Sequence, residues 1–314
     1  MYIGVDLGGT NIAVGVVDEN GRILHKGETP TGVGRPFEEI IKDMGDLVNR
    51  VIQESGYKVE DMKSIGIGSP GLPDQENGII VFANNLGWHN VPIREELQKH
   101  VNLPVFIEND GNTAGLAEVI AGACKGAKNS ITITLGTGIG SGIVVDGKPY
   151  SGAHSVGAEL GHLVVQVDGV PCTCGNKGCW ERYASATAII REGKEAAGKN
   201  PESLIYKLVD GDMDKITAKT VIDAAKEGDE TAMELFDRFI YYLTMGIITI
   251  INSFDPEIIA IGGGVAKAGD FLMDALLEKV KKHIFYKSAP YAKIVFATMG
   301  NDAGIVGAAM LGNL

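Results

Sequence analysis

Residues 2–17, YIGVDLGGTNIAVGVV, alternate apolar with small residues, break at Gly8-Gly9-Thr10-Asn11, and resume at Ile12, Val14 and Val16. A two-residue period predicts a β-strand and the glycine break a tight turn, so the segment reads strand, turn, strand. Asp18-Glu19-Asn20-Gly21 supplies the reverse turn that follows. Residues 131–145, ITITLGTGIGSGIVV, repeat the plan, with Gly136-Thr137-Gly138-Ile139-Gly140 at the break and a turn at Asp146-Gly147. Two glycine-broken hairpins in one chain suggest a duplicated α/β domain.

The rest of the chain agrees with that class. After Pro36, the apolar residues Phe37, Ile40, Ile41, Met44, Leu47, Val48, Val51 and Ile52 keep the spacing of a helix with one face on a sheet. Short buried strands are expected at residues 65–68, 105–107 and 258–261, and helices at 111–123, 270–282 and 303–311. The apolar run from Phe239 to Ile251 is too short to cross a bilayer and is expected to be a core helix. Strands alternating with helices predict an α/β fold.

Hydrophobic residues make up 45% of the 314 and charged residues 22%, enough apolar content for a sizeable core. The net charge of −12 argues against nucleic-acid and anionic-membrane partners, while leaving open a polyanionic ligand held by backbone amides. Met1-Tyr2-Ile3-Gly4-Val5-Asp6 lacks a basic leader segment, so no export and a cytoplasmic location are expected. A disulfide framework is then not expected for Cys124, Cys172, Cys174 and Cys179. The 43 glycines are roughly twice the usual ~7% and fall in no repeat, so they belong to turns and backbone-lined sites.

Three glycine turns follow strands: Gly8-Gly9-Thr10, Gly136-Thr137-Gly138 and Gly262-Gly263-Gly264. Such turns either serve packing or offer unpaired N–H groups to phosphate oxygens. No Lys-Ser/Thr pair follows the glycines, and the dinucleotide fingerprint is absent. Asp6 beside the first turn is the carboxylate that a Mg²⁺ ion, keeping several waters, would need. Glu108-Asn109-Asp110 ends a strand, where open α/β sheets place ligand groups, and Asp110 is also a favoured helix cap. Cys172-x-Cys174-Gly175-x-x-Gly178-Cys179-x-Glu181, with His162 upstream, is the strongest local signal. Three thiolates and an imidazole make a closed tetrahedral zinc set with no place for an activated water, and a reduced thiol cluster is the alternative. Glu159 and Glu181 flank these ligands, so one ion can fix both carboxylates around one pocket, with the glycine turns expected at a distance. Cys124 lies in an Ala/Gly-rich stretch and is expected to be an inert core thiol.

Taken in order, Asp6-Leu7-Gly8-Gly9-Thr10, Glu108-Asn109-Asp110, Leu135-Gly136-Thr137-Gly138, Glu159-x-x-His162 and the cysteine motif resemble the ROK family of bacterial sugar kinases and sugar-responsive repressors. Within it the chain is most similar to the kinases acting on glucose. The resemblance implies an actin/hexokinase-like (ribonuclease H-like) fold: duplicated α/β domains with an active-site cleft between them. Residues 1–110 plus 301–314 would form the smaller domain, and 111–300 the larger one carrying zinc. It implies ATP and a hexose as substrates, Mg²⁺ travelling with ATP, a structural Zn²⁺ on His162, Cys172, Cys174 and Cys179, and a homodimer or homotetramer.

By the same resemblance, Asp110 would be the base on the sugar hydroxyl. Asn109, Asp110, Glu159, His162 and Glu181 would hold the hydroxyls, with Gly71 and Asn85 lining the entrance; Asn84 is the neighbour that could take the place of Asn85. Asp6 would hold Mg²⁺ through water. Gly8, Gly9, Thr10, Gly136, Thr137 and Gly138 would receive phosphates, and Gly262, Gly263 and Gly264 would border the adenosine. Asn11 stands where many relatives carry Lys. The implied activity is phosphorylation of glucose to glucose 6-phosphate. The alternatives are a kinase for fructose, mannose, N-acetylglucosamine or N-acetylmannosamine, or a non-catalytic sugar-sensing protein. A repressor of the same family would need a helix-turn-helix segment ahead of Tyr2, for which this sequence leaves no room.

Overall fold

A computed structural model describes residues 1–314. β1 (Tyr2–Leu7) and β2 (Asn11–Val17) are the arms of the opening hairpin, and β3 (Ile23–Pro30) extends it antiparallel. β4 (Ile65–Ser69) lies parallel to β1, with Ile3 opposite Ile65 and Asp6 opposite Gly68. β5 (Leu72–Asp74), β6 (Ile79–Ala83) and β7 (Trp88–Val91) form a separate antiparallel sheet. β8 (Val105–Asn109) returns beside β4, giving the order β3-β2-β1-β4-β8.

β9 (Ser130–Leu135), β10 (Ile139–Val145), β11 (Lys148–Pro149), β12 (Ile258–Gly262) and β13 (Lys293–Phe296) form a second sheet, ordered β11-β10-β9-β12-β13. Its strand order repeats the first one, hairpin and flanking parallel strands included. The duplicated plan suggested by the two glycine-broken segments is therefore present. Parallel neighbours need long crossovers, and the Phe37–Glu54 helix lies on one of them.

Two packing contacts decide where the elements around the first turn sit. The Phe37–Glu54 helix buries Ile40, Ile41, Met44, Leu47, Val48, Val51 and Ile52, the stripe expected from the sequence. Burial of each such side chain is worth about 1.5–3 kcal/mol. The closing helix, Ala303–Met310, lies flush on the strands of the first sheet. A Cβ on Gly4 would stand 1.8 Å from the Ile305 carbonyl oxygen, and one on Gly66 1.8 Å from that of Ala308. Glycine at those strand positions is what admits the helix backbone.

The chain gathers into two compact units. One comprises Met1–Thr132, Gly142–Ala158 and Ala297–Leu314; the other comprises Ile133–Ser141 and Glu159–Phe296. In the second, the apolar run from Phe239 to Ile251 lies inside one helix, Glu230–Phe254, with Phe239, Ile240, Leu243, Ile247 and Ile250 buried. No helix is long and apolar enough to cross a membrane.

One helix departs from expectation at both ends. It runs Asp110–Ile120 rather than 111–123, and its N-cap is Asn109, not Asp110. Asn109 keeps extended backbone and accepts the Gly111 N–H at 2.8 Å, so Asp110 becomes the first helical residue. At the other end the chain leaves the helix at Ala121, and the buried Glu118 carboxylate takes the Ala123 N–H at 2.7 Å. The same carboxylate accepts the N–H groups of Thr298 and Met299, which fastens the returning segment to this helix. Buried charge is tolerated here because donors surround it.

Candidate active site

In the first unit, Asp6 sits at the C-terminal end of a sheet strand and Asp110 begins the helix after another. Burial, then the negative charge of Asp110, push the Asp6 carboxyl up to about 6. Two acids thus compete for one electrostatic environment, the arrangement a bound cation would relieve. The residues fit the water-mediated Mg²⁺ role expected of Asp6, since a desolvated carboxylate near a second one favours positive charge.

This carries a stability consequence. The folded value lies above the unfolded one, so the contribution of Asp6 to stability is complete below about pH 3.8 and is lost as pH rises through about 6. At neutral pH the ligand-free fold carries an ionised acid costing up to about 3 kcal/mol. Asp6→Asn is expected to raise the Tm of the ligand-free protein near pH 8 and to leave it unchanged near pH 4. An equal gain at both pH values would assign the effect to packing instead of charge.

The turn beside Asp6 is closed by backbone bonds. Gly8 N–H donates to Asn11 O at 3.0 Å, Thr31 N–H to Thr10 O at 2.8 Å, and the Thr31 hydroxyl to Gly8 O at 2.6 Å. Gly9, Thr10 and Asn11 are left exposed. Asn85, in the short turn Asn84–Leu86, brings its Cβ within 3.7 Å of where a Cβ would stand on Gly9. Asn109 Nδ2 donates to Gly71 O at 3.1 Å, which joins two more of the expected residues.

In the second unit, His162, Cys172, Cys174 and Cys179 offer donor atoms that all lie within 4.8 Å of one another. Cys172 Sγ is 3.7 Å from His162 Nδ1, and Cys174 Sγ is 3.6 Å from Cys179 Sγ. Burial pushes the Cys179 thiol up to about 12, so ionised thiolates at this spacing call for a cation. A soft tetrahedral donor set of this composition suits zinc. The chain folds back here through bridges of Val164 with Cys179 and of Pro171 with Lys177.

Glu181 Oε1 accepts from Cys172 Sγ at 3.3 Å, and His162 N–H donates to the backbone Glu159 O at 3.1 Å, so the Glu181 carboxylate and the Glu159 backbone adjoin the metal-type cluster. The expectation that the glycine turns lie far from this cluster needs correction for one of them. A Cβ on Gly138 would stand 2.4 Å from Glu181 Oε2, so the turn and the acid are in contact. The absent side chain is what allows it. Gly136 N–H closes that turn on Gly138 O at 3.0 Å and leaves Thr137 exposed.

A cavity of about 570 Å³ lies in the same unit, lined by Ala186, Ile190, Ile222, Val265 and Gly264 among others. Its size and apolar lining are those of a small-molecule site. Of the three glycines expected to border a nucleoside, Gly264 lines the cavity, and Gly262 and Gly263 do not. Ile190 and Ile222 are not legible in the sequence as cavity-lining residues, because their helical spacing reads the same whether they face core or cavity. Cys124 is fully buried, and burial pushes its thiol up to about 11, as an inert core position requires.

The sequence pattern of the ROK family matches residues 2–313. A glucokinase of Thermotoga maritima is 43% identical over 310 residues, covering 98% of this chain and 96% of its own. The crystal structure of a ROK family glucokinase from Streptomyces griseus, in complex with glucose and AMPPNP, superposes with a TM-score of 0.80 at 37% identity, covering 99% of this chain and 98% of that one. An N-acetyl-D-glucosamine kinase of Vibrio cholerae is 30% identical, covering 99% of both.

Proposed function

The chain belongs to the ROK family, and from that premise we propose that it is an ATP-dependent kinase converting glucose to glucose 6-phosphate. The observation that carries this reading is the strand-end pair Asn109-Asp110: the Asp110 charge reaches Asp6, beside the turn whose Gly9 and Thr10 are exposed. The greater identity to a glucokinase than to an N-acetylglucosamine kinase supports glucose over its N-acetyl derivative.

Phosphoryl transfer passes through a loose transition state, so aligning the hydroxyl counts for more than removing its proton early. Asp110 aims the attacking hydroxyl and accepts its proton. Asn109, Glu159, His162 and Glu181 hold the remaining hydroxyls, and Gly71 and Asn85 border the sugar. The Gly8–Thr10 and Gly136–Gly138 turns present N–H groups to the phosphates, with Asn11 at the edge of the first. The apolar cavity at Gly264 takes the nucleoside. Asp6 would hold, through water, the Mg²⁺ that travels with ATP, and the ion would neutralise phosphate charge. His162, Cys172, Cys174 and Cys179 would hold a zinc ion with all four positions filled, so the ion would shape the pocket and do no chemistry.

Initial rates with ATP across glucose, fructose, mannose, N-acetylglucosamine and N-acetylmannosamine test the assignment. Glucose is expected to lead in kcat/KM by about tenfold or more over the N-acetyl sugars, because buried hydroxyl contacts discriminate strongly. A higher value with N-acetylglucosamine would overturn glucose and keep the kinase class. No ADP release with any hexose would overturn the class.

A further inference from the structure

Glu108 is not among the residues assigned to substrate, yet its carboxylate is the most heavily bonded group beside them. It is 3% exposed and has four donors. Oε1 accepts from the Asn109 N–H at 2.7 Å and from Asn112 Nδ2 at 3.1 Å. Oε2 accepts from Gln75 Nε2 at 2.5 Å and from the Ser151 hydroxyl at 2.8 Å. These partners come from three stretches far apart in sequence: the turn after β5, the strand-to-helix junction, and the segment after β11.

We propose that Glu108 is a positioning residue for sugar phosphorylation, fixing the Asn109-Asp110 junction through its bonds to Asn109 and Asn112. The proposal rests on the kinase reading above. Three features make the junction depend on this carboxylate. The Asn109 N–H is not used by the helix, because Asn109 is the cap residue, so Glu108 is its acceptor. Asn112 Oδ1 is buried with no partner, so that amide is held only through what Nδ2 donates to Glu108 and Ser151. Gln75 and Ser151 in turn fasten Oε2, so the carboxylate cannot rotate away from the junction without losing both. Asn109 and Asp110 are thereby held at one height on the strand end, and a shift of about 1 Å in a group that aims a nucleophile costs about 10²-fold in rate.

The chemistry of the donors sets the pattern among variants. On the Oε2 side the Ser151 hydroxyl can turn to accept and the Gln75 amide can flip to offer its oxygen. Glu108→Gln can therefore keep all four bonds, and it is expected to retain kcat within about threefold. Glu108→Ala removes the acceptor from two buried donors of the junction. Its kcat is expected to fall by about 10- to 100-fold and the calorimetric sugar Kd to rise several-fold, with the KM for ATP within about twofold of wild type. A purely structural role would lower Tm and the folded yield while leaving kcat per folded molecule unchanged, and that result would overturn the proposal. Glu108→Gln as impaired as Glu108→Ala would also overturn it, since charge would then matter and placement would not. If Glu108→Ala does not fold, the Gln75→Ala/Ser151→Ala double variant carries the test. It is expected to lower kcat by about threefold or more, and an unchanged kcat overturns the proposal. Wild-type protein that phosphorylates no hexose would refute the kinase reading itself, an outcome separable from all of these.

Discussion

Asp110→Asn is expected to lower kcat with glucose by about 10²–10⁴-fold and to change the sugar Kd little. The substitution is well suited to isolate the proton acceptor. The helix cap is Asn109, so exchanging its neighbour leaves the capping bonds in place. Asp110 Oδ1 accepts the Gly111 N–H at 2.8 Å, and the amide oxygen of Asn can keep that bond. What disappears is the negative charge and the basic lone pair. Loss of that charge has a second readout, because it contributes to holding the Asp6 carboxyl high. The midpoint of Asp6, followed by pH titration of its carboxyl carbon, should move down in Asp110→Asn. Near wild-type kcat would move the base elsewhere, and an unmoved Asp6 would show that the two acids do not feel each other.

Cys172→Ser is expected to take bound zinc from one ion per chain to almost none, and to raise the sugar Kd by about tenfold or more. The coupling follows from contacts around the cluster. Glu181 meets Cys172 Sγ at 3.3 Å, and Glu159 is bonded through its carbonyl to the N–H of His162. Releasing the ion frees the loop that holds both acids. Because Gly138 abuts Glu181, the KM for ATP should also rise, by no more than about threefold, since the cavity proposed for the nucleoside is built on other elements. Native protein without zinc would remove the site. Normal glucose affinity in a zinc-free, folded variant would remove the coupling and leave the metal without influence on the pocket.

Local signals in the sequence were sufficient wherever a structural requirement is local. The hairpin at residues 2–17 shows its period and its glycines together, and its copy at 131–145 does the same. Either alone gives a strand pair, and the two together give the duplication. The His162/Cys172/Cys174/Cys179 set was legible because ligand chemistry restricts residue type, and its three cysteines fall within eight residues of one another. The Phe37–Glu54 helix was legible because a half-buried helix cannot avoid a periodic stripe.

Tertiary structure decided the rest. Nothing in the sequence distinguishes Gln75 or Ser151 from ordinary loop residues, yet both bond the Glu108 carboxylate. The contact of Gly138 with Glu181 depends on two segments more than forty positions apart approaching closely enough to exclude a Cβ. The capping of the Asp110 helix was open between two adjacent polar residues and was settled by which backbone remained extended. The nucleoside-sized cavity is bounded by apolar residues whose helical spacing matches that of core residues. Residue type and spacing therefore determine the class of fold and the cluster of side chains whose chemistry suits a metal. The pairing of distant polar groups and the space left between helices depend on three-dimensional packing, which a single chain's sequence does not display.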